Sequence, residues 1–322
     1  MTDVTVIILT YNEERHIERA IASVRPFASE IVVVDSHSTD RTVALAEAAG
    51  ARILANSFIN QARQFQWALE HIDVRTGWIM RLDADEVIEA DLQDQICRQL
   101  PLLDREVAGV VLVRKHVFMK RWVRHGGRYP LLLLRLWRTG QGRVEDRWMD
   151  EHVVVWGGRT ITMPGGFADI NLHDLGFFID KHNRYATREA IEVINARYGL
   201  LARDEALSVR SASRQASNKR WIKEHVYNRL PLWVGPAGYF LYRYLLQLGF
   251  LDGRAGLIYH FLQGFWYRFL VNAKVVEYEM ELAGCTENRE RLAVLSRLTG
   301  YRLEVEPVSV EAGDVDAAVA QP

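Results

Sequence analysis

The chain has 322 residues, enough for one large domain or two ordinary ones, so the size of a core is no constraint. Apolar residues make up 49% and charged residues 25%, which is ordinary globular usage, and a formal net charge of -1 without a zinc spacing excludes a protein devoted to nucleic acid. Cys97 and Cys285 stand far apart without a CxxC pattern, which excludes a disulfide framework and fits a reducing compartment.

The first stretch, MTDVTVIILTYNEE, lacks a charged leader followed by an apolar run and a cleavage site, and no window holds about 18 consecutive apolar residues. The expectation is a cytoplasmic chain without a spanning helix. Val4 to Leu9 is a β-branched run that predicts a buried strand, and Glu13 to Val24 carries Ile17, Ala20, Ile21 and Val24 at helical spacing. Ile31 to Val34 predicts the second strand, and Asp40 to Ala49 a helix closed by Gly50. A short strand over Ala51 to Leu54, a helix over Gln61 to His71 and a strand over Trp78 to Leu82 follow.

This alternation predicts an α/β fold, a Rossmann-like and mostly parallel sheet with helices on both faces, binding its ligand at the carboxyl ends of the strands. The polar segments stand at those ends: Thr10-Tyr11-Asn12-Glu13, then Asp35-Ser36-His37-Ser38, then Asp83-Ala84-Asp85. They are expected to converge. The last, in MRLDADEVI, packs three carboxylates into four positions behind an apolar strand, where their repulsion demands a positive partner. A D-x-D at a strand end suits a divalent cation that neutralises the acids while bridging a diphosphate, although the same acids serve equally well to cap a following helix. Asp35 can accept from a ribose hydroxyl or a base N–H, or simply form a turn.

Beyond residue 100, Val107 to Val113, Leu131 to Trp137 and Val153 to Trp156 read as extended, and Gly126-Gly127 as a turn or as a loop beside the ligand. Ile179 to Tyr198 reads as a long helix stopped by Gly199. A basic stretch from Arg214 to Arg229 precedes Leu230 to Ala273, which concentrates 12 of the 33 aromatics in 44 residues. This second half predicts either a helical subdomain or, with Trp233, Tyr239, Phe240 and Trp266 beside the basic approach, an interfacial platform on an anionic membrane. The tail after Arg302 is acidic and expected to be disordered. The expected division is 1–200 for the α/β ligand-binding domain, 201–300 for the helical region and 301–322 for the tail.

TYNEE, VVVDSHSTDRT and RLDADE at these spacings resemble family 2 of the inverting glycosyltransferases, with its GT-A nucleotide-sugar fold. RWMDEHVVVWGG, INLHDLG and KHNRYATREA extend the resemblance to the branch that builds lipopolysaccharide cores. The resemblance implies that Thr10, Tyr11, Glu13 and Asp35 hold the nucleotide, with Arg63 and Gln64 offering groups toward the diphosphate. It implies that Asp83 and Asp85 manage the diphosphate and an Mg²⁺ or Mn²⁺, which His173 completes. Asp150-Glu151 matches the acidic pair whose second member deprotonates the acceptor, so Glu151 is the expected base, with Glu145-Asp146 as the rival pair. Lys181 to Arg184 reads as the solvated face of a helix or as positive charge near an acceptor phosphate. The implied reaction moves a sugar from a nucleotide sugar, with UDP as the expected nucleotide, to a lipid-linked glycan at the cytoplasmic face of the inner membrane. The competing readings are a sugar-nucleotide nucleotidyltransferase, against which TYNEER offers no glycine, and a non-catalytic assembly protein, against which the D-x-D is intact.

Overall fold

The computed structural model describes residues 2–145, 153–200, 231–301 and 303. Expectations placed on Asp146, Asp150, Glu151, the basic stretch Arg214–Arg229 and the acidic tail lie outside the described residues. The first strands are β1 (Val4–Thr10), β2 (Glu30–Asp35), β3 (Arg52–Ala55) and β4 (Trp78–Asp83). They alternate with α1 (Ile17–Val24), α2 (Thr42–Ala48) and α3 (Gln61–His71). These strands run parallel in the order β3-β2-β1-β4, as the β-branched runs with apolar residues on both faces require.

The sheet continues with β5 (Glu86–Ile88), α4 (Ala90–Gln99), β6 (Val107–Phe118), β7 (Arg121–Val123) and β8 (Leu131–Arg138). After β9 (Gly142–Val144) and β10 (Val153–Val155), which pair apart from it, β11 (Arg159–Ile170) completes the sheet. The full order is β3-β2-β1-β4-β8-β6-β11-β5, with β7 hairpinned on β6. The α/β class is as expected, but β8 runs antiparallel to both β4 and β6 and seals the parallel half to the rest. Strand β11 is absent from the sequence expectation because Met163-Pro164-Gly165 breaks its period. Those residues form a bulge between the Thr162–Val111 and Gly166–Val113 pairings, a position where proline costs no ladder bond. Gly165 has φ +105°, and a Cβ there would lie 3.0 Å from the Leu92 backbone.

Helix α5 (Leu175–Tyr198) starts one turn before the predicted Ile179, because the Asp174 side chain accepts from the Phe177 N–H. It stops at Gly199, in the left-handed region at φ +63°. The aromatic segment folds as α6 (Val234–Leu241), a π-helical turn over Tyr242–Leu246, α7 (Gly253–His260), a second π-helical turn over Phe261–Trp266, and α8 (Tyr267–Leu282). α9 (Asn288–Thr299) follows. Ala190, Ile191 and Ile194 of α5 pack with Val275, Tyr278 and Leu282 of α8, so the helical part shares a core with the long helix. Among the described residues no helix is long and apolar enough to cross a membrane.

The expected loop at Gly126-Gly127 is pinned to this helical part. Gly126 N–H donates to the Gln247 carbonyl at 2.8 Å, and Arg243 Nε donates to the Gly126 carbonyl at 2.7 Å. The fully buried ring of His260 fills the space beside Gly126, where a Cβ would lie 2.2 Å from it. Burial and the nearby Arg243 push His260 down to about 4 from an ordinary 6.5. The unfolded chain is then the better proton binder between those values, so this contribution to stability is complete above about pH 6.5 and declines as pH falls toward 4. The predicted loss is about 3 kcal/mol across that window. Urea unfolding from pH 7 to pH 4.5 should show the wild type losing stability relative to His260→Gln, a comparison that cancels the other titrating groups; equal slopes for both proteins would refute it.

Candidate nucleotide and cation site

The carboxyl ends of β1, β2 and β4 lie side by side, with Thr10 opposite Asp35 and Leu9 opposite Asp83. Three polar segments therefore converge as expected. Asp35 is nearly buried, and its carboxylate organises the turn after β2. It accepts from Thr10 Oγ at 3.0 Å, Ser38 N–H at 2.8 Å and Ser38 Oγ at 2.5 Å. Asn12, with φ +55°, accepts from the Thr39 N–H instead of capping α1, which begins only at Ile17. Tyr11 stands 59% exposed at the mouth, free to stack on a flat ligand.

The acids of RLDADE divide into separate roles. Asp83 accepts from Arg135 Nη2 at 3.0 Å, from Arg81 Nε at 3.4 Å and from Gln61 Nε2 at 3.4 Å. Burial favours its neutral form, but Arg135 and then Arg81 outweigh that and hold it well below the usual carboxylate range. Glu86, with its side chain 1% exposed, accepts from Arg135 at 2.6 Å, Arg114 at 3.2 Å and the Asp83 N–H at 3.0 Å. Burial, only partly opposed by Arg135, pushes it up to about 7. Its place is structural, beneath the D-x-D.

The positive partner that the sequence demanded is thus built into the sheet. Arg135 sits on β8 at a bulge, between the Val110–Leu136 and Val111–Leu134 pairings, and the extra residue turns its guanidinium toward Asp83 and Glu86. Sequence reasoning missed Arg135, Arg114 and also Asp169, which lies opposite Glu86 on β11 and accepts from His116 Nδ1 at 3.0 Å. One signal was available: a lone arginine inside the apolar run LLLLRLW needs a buried acid.

Asp85 is the member left least compensated. Its Oδ2 accepts from Asn171 Nδ2 at 3.3 Å and lies 3.7 Å from Lys181 Nζ. Burial raises its pKa; Lys181 opposes this, while Asp169, Glu13 and Asp83 raise it further. Lys181 is thus not a free residue of a solvated helix face: its half-buried ammonium lies against Asp85, whose charge raises its pKa. A carboxyl destabilised by three others gains from a bound divalent cation, so Asp85 fits the role. Asp83 has already given its oxygens to arginines.

His173 lies beside Glu13 and His16. The ligand atoms of Glu13, His16 and His173 fall within 4.8 Å of one another, and among the described residues no group combining His173 with Asp83 and Asp85 is this tight. His16 Nδ1 donates to Glu13 at 2.6 Å and its Nε2 accepts from the Leu172 N–H at 2.8 Å. With both nitrogens committed, His16 offers no lone pair to a metal. Burial and then His16 lower the pKa of His173, whose ring stacks on Phe177 at 3.8 Å. On α3, Gln64 is buried and bonds Ser36 and Asn56, while Arg63 lines a hollow of about 260 Å³ with Trp67 and Val144. Glu145 is buried just after β9.

Removing Arg135 takes the shortest cation contact from the buried Glu86 and the half-buried Asp83, leaving them Arg114 and Arg81, so Arg135→Met should cost about 3 kcal/mol. Adding Glu86→Gln should recover part of that loss. Urea unfolding of both single variants and the double variant checks this; strictly additive losses would contradict the shared pair.

The family model described as Glycosyl transferase family 2 matches residues 5–163. An uncharacterised glycosyltransferase of Rickettsia bellii is 43% identical over 93 residues, 29% of this chain and 31% of its own. One of Rickettsia felis is 42% identical over 96 residues, 30% of this chain and 33% of its own. The match therefore spans only about a third of the length of these relatives. The lipopolysaccharide core biosynthesis glycosyltransferase LpsC of Rhizobium meliloti is 29% identical over 198 residues, 60% of this chain and 72% of its own. Among solved structures, glucosyl-3-phosphoglycerate synthase from Mycobacterium tuberculosis with Mn²⁺, UDP and glucosyl-3-phosphoglycerate is 23% identical over 34% of this chain and 43% of that one. Its TM-score of 0.30 is too low to bear on function. Residues 5–163 of the chain thus belong to glycosyl transferase family 2.

Proposed function

We propose that the chain is an inverting glycosyltransferase that moves a sugar from a nucleotide sugar to a hydroxyl of a lipid-linked or lipopolysaccharide-type glycan. The observation that carries this reading is the convergence of Thr10, Asp35 and the D-x-D at adjacent strand ends, with Asp85 between Asn171 and Lys181 and surrounded by further acids that raise its pKa. The family of the first half and the name of the LpsC relative support it.

In this reading Thr10, Tyr11, Glu13 and Asp35 receive the nucleotide, with Arg63 at the edge. Asp85 holds an Mg²⁺ or Mn²⁺, with Asp83 behind it and His173 at its flank. The bound cation stabilises the charge that builds on the leaving diphosphate. Lys181 adds a fixed positive charge on the same side. Inversion is one in-line displacement, so one carboxylate must take the acceptor proton on the face opposite the diphosphate. Glu151, with Asp150 beside it, is assigned that role on the sequence resemblance alone. Residues 1–200 form the catalytic part and 201–300 a helical region that meets an anionic membrane at the cytoplasmic face of the inner membrane, with 301–322 a tail.

Nucleotide release from a panel of sugar nucleotides, with and without Mn²⁺, tests this reading. Asp85→Asn and Glu151→Gln should each lower turnover about 10²–10⁴-fold with authentic acceptor. Full turnover in both variants would remove the mechanism. A thermal-shift panel of sugar nucleotides should show one donor raising the unfolding temperature of the wild type and less so that of Asp85→Asn; no response to any donor would contradict the donor site.

A further inference from the structure

The segment 107–144 contains no Asp or Glu and nine Lys or Arg residues. Some of these serve the site, but the β6–β7 hairpin carries others outward. Its tip, Met119-Lys120, has both residues at positive φ, 49° and 63°, as tight hairpin turns require. Met119 is 57% exposed, and Lys120, Arg121 and Arg124 are exposed beside it. The hairpin's inner side, Phe118 and Val123, packs on Tyr259 of α7. Just beyond the hairpin the chain is fastened to the helical part: the His125 N–H and Nδ1 donate to Asp252 at 2.9 and 2.7 Å.

Asp252 is the one acid between residues 231 and 273, and it is buried in this clasp. The outer surface of that segment therefore carries no negative charge of its own. It presents Leu245, Leu246, Leu248, Phe250 and Leu251, exposed by 42–75%, with Arg254 exposed among them. Arg121 lies against Gly253, where a Cβ would stand 3.2 Å from its guanidinium. Single exposed apolar residues are ordinary, but five large ones within seven positions form a patch that water disfavours. Cations at the rim select an anionic surface, and the mixture of Leu and Phe with Lys and Arg matches the headgroup–acyl boundary.

We propose that the β6–β7 hairpin tip and the Leu245–Arg254 surface form one docking face for an anionic lipid bilayer, held together by the His125–Asp252 clasp. The hairpin extends this face beyond the aromatic region and supplies cations of its own to it. This face deepens the membrane contact proposed for the helical region, and its use in presenting a lipid-anchored acceptor rests on the glycosyltransferase reading; the hairpin's own contact with lipid does not.

The test is co-sedimentation of the full chain with vesicles of phosphatidylcholine alone or mixed with phosphatidylglycerol. Wild type should bind the anionic vesicles at least about tenfold better, and less so at high salt. Lys120→Glu with Arg121→Glu and Arg124→Glu should remove most of that preference. Leu246→Ser with Phe250→Ser and Leu251→Ser should weaken vesicle binding while leaving the unfolding temperature unchanged. The proposal fails if wild type ignores anionic vesicles or if both variants bind like wild type. It also fails if light scattering shows that the apolar substitutions only split a dimer. Nucleotide release without vesicles reports on the catalytic reading separately, so either can fail alone.

Discussion

The candidate site depends on one guanidinium. Arg135 reaches Asp83 at 3.0 Å and Glu86 at 2.6 Å and lets three acids occupy four positions at the end of a buried strand. Two like charges about 4 Å apart repel by roughly 4 kcal/mol at the effective dielectric of a protein near its surface. Without an internal cation the cluster would take up protons or unfold the strand end. With it, Asp83 stays ionised while the buried Glu86 is raised to about 7, and at the mouth the remaining repulsion falls on Asp85, whose carboxyl is raised by burial and by Asp169, Glu13 and Asp83. The arrangement concentrates the demand for further positive charge at one point facing the converged strand ends.

The topology follows from the same requirement. A wholly parallel sheet would leave β4 beside another apolar strand. Instead β8 enters antiparallel between β4 and β6, and its bulge aims Arg135 at the acids. β6 contributes Arg114 and His116, while β11 brings Asp169 opposite Glu86 on the edge strand β5. α5 then lays Lys181 against Asp85. Acids from β4, β5 and β11 are matched by cations from β4, β6, β8 and α5. A buried ionic network of this kind contributes little net stability over apolar packing, although removing one of its partners is costly.

The first half of this was legible because its strands and helices keep their own periods. Gln61–His71 is observed as predicted, and β1, β2 and β4 differ from expectation by a residue or so at their ends. Convergence of the three polar segments followed from parallel pairing alone. Most of the network was not legible, because pairs such as Arg114–Glu86, Arg135–Glu86 and Lys181–Asp85 join residues 28–96 positions apart through an antiparallel insertion. β11 was hidden by its bulge. His173 was expected on the resemblance to complete the cation site; its ring packs against His16 and Phe177, contacts that spacing cannot foretell.

The central claim is a division of labour: Asp83 belongs to Arg135, and Asp85 serves the cation and diphosphate. Calorimetric titration of UDP into wild type and Asp85→Asn, each with and without Mn²⁺, tests it most directly. The account predicts that Mn²⁺ tightens UDP binding to wild type by about tenfold or more and barely affects Asp85→Asn. Equal enhancement in the two proteins would contradict it.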